Sequence, residues 1–231
     1  MPWFDALMLV LLVIAMPLRA LANSFGSRRT AANAEPRLTR YRRSMAIAAA
    51  LTAGLAAIWI GTGRLASALG FDWPLTTAGV IGLAITGLLL TGLALTAPRA
   101  RAPQDAATRE AALRTLPQGA LECRWFVAFG LTLGFAWELL YRGYLLWLLA
   151  PYIGTVVTIV IAATAYGLAH GYQNPRQLVG SIISAFVFTI GFALTHSLWW
   201  LIILHAGLPM IGLLVPPPPE SVDPATPEPA T

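Results

Sequence analysis

Residues 124–149, RWFVAFGLTLGFAWELLYRGYLLWLL, form a long apolar run with a glutamate and an arginine well inside it. A helix needs about 20 apolar residues to cross the hydrocarbon core of a bilayer, so the run predicts a membrane-spanning helix. A carboxylate near the bilayer centre costs about 3 kcal/mol on insertion scales, which means that Glu138 should be paired or functional. Arg142 lies one turn further on the same helical face and can pair with it. Taken alone, the pair is as consistent with an ion pair that only holds helices together as with a functional site.

Six further apolar runs have the length of a membrane helix, at residues 3–22, 45–63, 75–97, 154–171, 177–195 and 197–214. Hydrophobic residues make up 57% of the 231 residues and charged residues only 11%. Soluble domains carry about 25% charged residues, so a lipid bilayer is the expected surrounding. We predict an all-α polytopic transmembrane bundle of about seven helices, with six and eight as the alternatives.

Arginine placement predicts the orientation of these helices, because arginine-rich loops stay on the cytoplasmic side. The net charge is +5 and the chain has no lysine. The connection after the first run is rich in arginine, the next carries only Arg64 and Asp72, and the third is rich again. This alternation predicts an N-terminus outside and a C-terminus in the cytoplasm. The arginines of the two rich connections are Arg28, Arg29, Arg37, Arg40, Arg42, Arg43, Arg99, Arg101, Arg109 and Arg114.

The same arginines argue against a nucleic-acid partner, because membrane topology accounts for them and they form no basic face on a folded domain. The arginine-only, alanine-rich composition favours a bacterial plasma membrane. The acidic, proline-rich tail at residues 216–231 cannot build a core and is predicted to be disordered.

The first run allows a competing interpretation as a cleaved signal peptide. Ala20-Leu21-Ala22 resembles a small-residue cleavage site after an apolar stretch. A signal peptide normally begins with basic residues, whereas the start of this segment contains Asp5 and no basic residue, and cleavage would leave the arginine-rich loop outside. A retained helix is therefore the favoured interpretation.

Two histidines add chemistry to the C-terminal runs. His170 ends the fifth run and His205 lies inside the seventh, so that two imidazoles and the Glu138 carboxylate come from three separate helices. These are the ligands of a zinc-type ion, and a metal-bound water beside a carboxylate is a hydrolytic device. A lone histidine on an apolar helix is more often a packing residue, and His196, at a predicted turn, is interpreted in that way.

The depths of these groups in the bilayer disagree when each run is treated as a full crossing. Counting about 1.5 Å per residue through a core of about 30 Å, Glu138 lies roughly 21 Å and His205 roughly 18 Å above the cytoplasmic end. His170 comes out at only about 6 Å. Either the helix that carries Glu138 is broken or re-entrant near Gly134 or Gly143, or His170 lies outside the site.

In order and spacing, three motifs resemble the CPBP family of intramembrane proteases, which includes the type II CAAX prenyl endopeptidases and bacteriocin-processing and self-immunity proteins. The family pattern is EExxxRG, then FxxxH, then a T-G-S-L-W run that leads ten residues later to a histidine, with Asn or Asp four residues after it. The matching stretches are ELLYRG at 138–143, YGLAH at 166–170, and THSLW at 195–199 with His205. Tyr166 stands in place of the phenylalanine, an exchange between aromatic residues, and two departures affect the chemistry: Trp137 replaces the first glutamate, and Pro209 replaces the Asn or Asp.

The resemblance covers residues 120–213 and implies a hydrolase that cleaves a peptide bond of a membrane-associated peptide or protein. Carried over by position, the catalytic candidates are Glu138, Arg142, His170 and His205. The candidate ligands of a divalent metal, zinc by ligand type, are Glu138, His170 and His205. The implied organisation is a scaffold of transmembrane helices at 1–118, a protease-like core at 119–215, and the tail at 216–231.

The two departures leave three hypotheses about function. An active intramembrane metallo-endopeptidase uses Glu138 as base or ligand, although the family's base is the glutamate that Trp137 replaces. Glu138 could substitute only if it faced the site, because adjacent helical residues point about 100° apart. The second hypothesis is a non-catalytic membrane scaffold or partner-binding protein, for which Trp137 and Pro209 are the evidence. The third is a small transporter, and it lacks the repeated halves common in such proteins.

Overall fold

The computed structural model describes residues 3–25, 35–99, 116–170 and 175–215, and within these ranges the chain forms seven helices. Their number and their order along the chain confirm the predicted all-α bundle. The predicted disordered tail at 216–231 lies outside the described residues, as do Arg28, Arg29, Arg101, Arg109 and Arg114 of the arginine-rich connections.

The first three helices correspond to the first three apolar runs. Helix α1 consists of Trp3–Val10, a π-helical turn at Leu11–Ala15, and Met16–Phe25. Helix α2 spans Arg37–Gly61 and helix α3 spans Thr77–Thr96, with a short 3₁₀ turn at Ala66–Leu69 between them. Helix α3 begins at Thr76, whose hydroxyl accepts a hydrogen bond of 3.1 Å from the Gly79 N–H and so caps the free amides of the first turn.

The last four helices carry all three motifs. Helix α4 contains Ala120–Glu138, a π-helical turn at Leu139–Tyr144, and Leu145–Ile153. Helices α5, α6 and α7 span Thr155–Ala169, Pro175–Thr195 and Trp199–Ile211. By length and composition, five helices of the described chain can cross a membrane, and these are α1, α2, α3, α4 and α6. Helices α5 and α7 are apolar but shorter.

Contacts between connections place alternate connections at opposite ends of the bundle. At one end Leu198, before α7, donates a 2.8 Å backbone hydrogen bond to Gly70, in the loop between α2 and α3. At the other end, Arg37 at the start of α2 lies 3.5 Å from Glu122 at the start of α4. This arrangement fits the alternation on which the orientation was predicted. Which end faces the cytoplasm stays a prediction.

Helices α4 and α5 form an antiparallel hairpin around Gly154. This glycine adopts φ +79°, a left-handed conformation that side chains rarely tolerate, and α5 begins at the next residue. Glu138 lies 15 residues before the end of α4, and His170 lies 15 residues after the start of α5. At about 1.5 Å per residue both are roughly 22 Å from the turn, so the hairpin brings them to the same depth.

The alternative in which the helix that carries Glu138 is broken or re-entrant near Gly134 or Gly143 is not the one adopted. The helical segments run without interruption from Ala120 to Ile153. The depth of Glu138 was misjudged because it was counted from Arg124 through a single crossing, whereas α4 has 34 residues, about 51 Å at 1.5 Å per residue. Gly134 serves another purpose, which is to let α7 approach closely.

The contact at Gly134 holds α7 against α4. A Cβ at this position would lie 2.9 Å from the Ala206 backbone nitrogen and 3.1 Å from its Cα. Because these are backbone atoms, a larger residue can be accommodated only if the two helices move apart. Ala206 is the neighbour of His205, so this close approach also sets how near the histidine comes to α4.

We expect Gly134→Ala to lower the free energy of unfolding by about 1–3 kcal/mol, the usual cost of overpacking a close contact. The matched control is Gly87→Ala in α3, where an added Cβ meets nothing within 4 Å. The control should be unchanged or slightly more stable, because alanine is the better helix former. Thermal unfolding of the detergent-solubilised proteins measures both, and equal stability of the two variants would contradict the packing.

Candidate active site

The first motif lies where the α-helical winding of α4 changes. Its π-helical turn, Leu139–Tyr144, begins at the residue after Glu138, and all six residues of the turn are buried. Single π turns within α-helices occur frequently at functional sites. Gly143 allows the loop before α3 to approach, since a Cβ there would lie 2.7 Å from the Leu69 carbonyl oxygen. The apolar pattern along α4 does not indicate this turn.

The Glu138 carboxylate faces the interior and is fully buried. Its Oε1 accepts a hydrogen bond from Arg142 Nη1 at 3.2 Å, which confirms that the two residues pair. The same oxygen lies 2.7 Å from Nδ1 of His205, on α7. One carboxylate oxygen thus joins the first and third motifs. The side chain that faces the site is Glu138 and not the adjacent Trp137.

The contact with Glu138 assigns the tautomer of His205. A carboxylate only accepts hydrogen bonds, so Nδ1 carries the hydrogen and neutral His205 keeps its lone pair on Nε2. The Tyr166 hydroxyl lies 3.2 Å from Nδ1 and 3.4 Å from Nε2. With Nδ1–H committed to Glu138, the hydroxyl can donate to Nε2. The His205 side chain is 17% exposed, so the imidazole lies between the buried carboxylate and the surface of the bundle.

Tyr166 is the site residue that the sequence analysis did not select. Its ring lies under the Arg142 guanidinium, with Cζ 3.8 Å from the ring centroid, in a cation–π contact. Its hydroxyl reaches His205 from the same position. The signal was present in the second motif, where tyrosine stands in place of phenylalanine, and it was interpreted only as a tolerated exchange between aromatic residues.

His170 lies beside the other motif residues and is exposed at the end of α5. Its ring centroid is 4.8 Å from that of Tyr166 and 5.8 Å from that of His205. The alternative in which His170 lies outside the site is therefore not the one adopted by the fold. The four residues carried over from the family pattern, Glu138, Arg142, His170 and His205, all converge, although their catalytic roles stay predictions.

The positions that depart from the family pattern supply no carboxylate or amide. Trp137 is half-buried, and its ring packs edge-on against Tyr141 with centroids 6.0 Å apart. Pro209 lies within α7. His196 is exposed at the turn before α7, with a φ of 49°, and its ring lies 5.4 Å from that of Phe192. Trp137 and His196 each have a packing contact that accounts for them.

The donor set as arranged does not fit a resident metal ion. Across the described parts of the chain, no three His, Cys, Asp or Glu side chains are grouped so that they could hold one. The Glu138 Oε1 atom is already shared by Arg142 and His205, and the adjacent guanidinium opposes a second cation. The other oxygen, Oε2, is buried without a hydrogen-bond partner, and alone it is a single donor. Zinc stays a prediction, and no chemical step is assigned to it.

Part of the chain matches a known protein family. Residues 119–211 match the family model described as type II CAAX prenyl endopeptidase Rce1-like. The match confirms the resemblance to the CPBP family. All three motifs fall inside the matched residues, so this part of the chain is similar to membrane endopeptidases of the CAAX-protease type. No curated protein and no solved structure matches the chain.

We expect Arg142→Met to destabilise the protein by about 3 kcal/mol or more, because it leaves the buried Glu138 carboxylate without its cation. The double variant Glu138→Gln/Arg142→Met should regain most of that loss, since no buried charge is then left unpaired. Unfolding of the detergent-solubilised proteins by heat or denaturant measures the stability of both variants and of wild type. A double variant less stable than Arg142→Met alone would contradict the buried pair.

Proposed function

We propose that this chain is an intramembrane endopeptidase that hydrolyses a peptide bond of a membrane-associated peptide or protein, with His205 as general base and Glu138 as the residue that orients it. The observation that carries the proposal is the 2.7 Å contact between Glu138 Oε1 and His205 Nδ1 inside the Rce1-like region. A buried carboxylate on one imidazole nitrogen, with the other nitrogen directed outward, is the arrangement that hydrolases use to activate a nucleophile.

The proposed step needs only a water molecule and the substrate. His205 Nε2 takes a proton from water as the oxygen attacks the carbonyl carbon, and the Glu138 carboxylate stabilises the resulting imidazolium. The tetrahedral intermediate then collapses, the C–N bond breaks, and the same proton passes to the leaving amine. The products are a carboxylic acid and an amine, and no oxidant or second substrate is consumed.

The neighbouring residues have separate parts in this proposal. Arg142 keeps Glu138 ionised, because a guanidinium 3.2 Å from the carboxylate favours its charged form. Tyr166 contacts the imidazole ring through its hydroxyl, whose hydrogen turns away from Nε2 when that nitrogen accepts the proton of water. His170, exposed next to His205, can donate its N–H to the oxyanion that forms on the substrate.

This arrangement gives a reason why tryptophan is tolerated at the first position of the motif. In the proposed mechanism the base is His205, and the carboxylate that supports it is Glu138. Neither task requires a carboxylate at Trp137, which instead packs against Tyr141. Without the first glutamate, water is activated by His205 instead, so the proposed reaction does not depend on the missing carboxylate.

The second candidate function is a non-catalytic family member that binds a membrane partner. Trp137 and Pro209 favour it, and so does the complete burial of Glu138, which suits an internal tie between α4 and α7. Under this alternative, Glu138 and His205 matter for stability and not for turnover.

The test compares the membrane proteomes of cells that produce wild type or single variants. We expect new protein termini near membrane segments in cells with wild type, and their loss with Glu138→Gln and with His205→Gln. The control is His196→Gln, which changes an exposed histidine at a turn and should leave every cleavage in place. Variants must be present in the membrane at wild-type levels. Identical termini in wild type and in both site variants would contradict the proposed peptidase and favour the binding protein.

The metal-dependent form of the hypothesis, with Glu138, His170 and His205 as ligands, makes a different prediction. Because the proposed step uses side chains alone, we expect cleavage to persist after treatment with a chelator. Metal analysis of the purified protein provides the second measurement. One ion per chain in wild type, lost in His170→Ala together with chelator-sensitive activity, would contradict the side-chain mechanism.

A further inference from the structure

Two tyrosines of the π-helical turn are hydrogen-bonded to helix α1. The Tyr141 hydroxyl donates to the Leu12 carbonyl oxygen at 2.9 Å, and the Tyr144 hydroxyl donates to Asp5 Oδ1 at 2.7 Å. All four residues are buried. These contacts join residues far apart in sequence and lie on either side of Arg142, so they hold the turn at two points.

Helix α1 is adapted to make these contacts. It has its own π-helical turn at Leu11–Ala15, in which the Met16 N–H bonds to the Leu11 carbonyl. The wider winding displaces carbonyl oxygens from their usual helical bonds, and the Leu12 oxygen in this turn accepts from Tyr141. Two π turns, linked by a hydrogen bond between residues 129 positions apart, thus contact each other.

Asp5 is a buried acid that the proposed chemistry does not use. It is 2% exposed, and its Oδ2 lies 3.6 Å from Arg64 Nη2. The Arg64 guanidinium in turn lies over the rings of Trp59 and Trp147, with Cζ 5.3 and 4.7 Å from the centroids. The Arg64 side chain is 19% exposed, so the guanidinium compensates the buried Asp5 carboxylate and stays partly solvated. Asp5 is thereby held in place as the acceptor for Tyr144.

Helix α1 also packs along α5, through its π turn and its segment Met16–Phe25. It therefore touches both helices of the hairpin that carries Glu138 and His170. Tyr141 extends the contact inward, since its ring packs edge-on against Tyr166 with centroids 5.1 Å apart.

We propose that α1 is a positioning element of the active site, in which the Leu12 carbonyl and Asp5 hold Tyr141 and Tyr144 and thereby place Arg142 and Glu138. The proposal rests on the proposed peptidase function. It assigns α1, which lies outside the Rce1-like match, to the same working unit as the three motifs.

The experiment uses Tyr141→Phe and Tyr144→Phe, which remove one hydroxyl each and keep the aromatic packing. Tyr152→Phe is the matched control, because Tyr152 lies on the same helix and is 74% exposed. Hydrogen exchange of the full-length protein in detergent reports on the backbone of residues 138–146 without any substrate. We expect both variants to speed exchange in this segment at least fivefold, while α2 and α6 exchange as in wild type.

Turnover of a substrate identified from the membrane proteomes supplies the second measurement. We expect kcat to fall at least fivefold in each variant and KM to stay within about twofold, since the reacting groups move while the binding surface is kept. A purely structural tie would leave kcat unchanged in the fraction that remains folded. Unchanged exchange at 138–146, or faster exchange with unchanged kcat, would overturn the proposal. Faster exchange in a protein without any cleavage activity would reject the proposed function and leave only the anchoring.

The same contacts predict that α1 is retained. Both anchors precede Ala22, so cleavage there would remove the partners of Tyr141 and Tyr144. Intact mass spectrometry of membrane-extracted protein should therefore find residues 1–22 in the mature chain. A mature protein that begins after Ala22 and still turns over substrate would overturn the positioning role.

Discussion

The Glu138 carboxylate is stable inside an apolar helix bundle only because Arg142 and His205 reach the same oxygen atom. In a low-dielectric interior an unpaired carboxylate costs several kcal/mol, so the helices that carry its partners have to converge on it. This requirement links α4 to α7 directly. It links both to α5 through Tyr166, which contacts Arg142 with its ring and His205 with its hydroxyl.

Much of the surrounding structure can be understood as meeting that requirement. Gly134 lets the backbone of α7 come close enough for His205 to reach α4, and Gly143 admits the loop before α3. The hairpin turn at Gly154 brings Glu138 on α4 and His170 at the end of α5 to equal depth. The site is built on helices held by close backbone contacts, which suits a task in which small displacements cost activity.

The sequence predicted the helices and the acidic centre of the site, and the reasons are physical. Runs of about 20 apolar residues leave few alternatives to membrane helices. The pairing of Glu138 with Arg142 follows from their spacing, because residues four apart share a helical face. The convergence of His170 and His205 with Glu138 followed from the family motifs, and the depths counted along the helices did not predict it.

Other features depended on three-dimensional contacts that sequence spacing does not encode. The depth of Glu138 was misjudged because composition alone does not reveal that α4 continues to a length of 34 residues. The inward orientation of Glu138 and the outward packing of Trp137 depend on how α4 is rotated against its neighbours. The two π turns leave no mark on the apolar pattern, and Asp5 was used only as evidence against a signal peptide. Its partner Tyr144 is 139 residues away.

The central claim is that Glu138 fixes the tautomer and orientation of His205. Nitrogen-15 NMR of histidine-labelled protein tests it directly, because the chain has only three histidines and protonated and bare ring nitrogens have well-separated shifts. In its neutral form, His205 should carry its hydrogen on Nδ1 and have a bare Nε2, and Glu138→Ala should abolish that preference. A hydrogen on Nε2 in wild type, or a spectrum that Glu138→Ala does not change, would contradict the account.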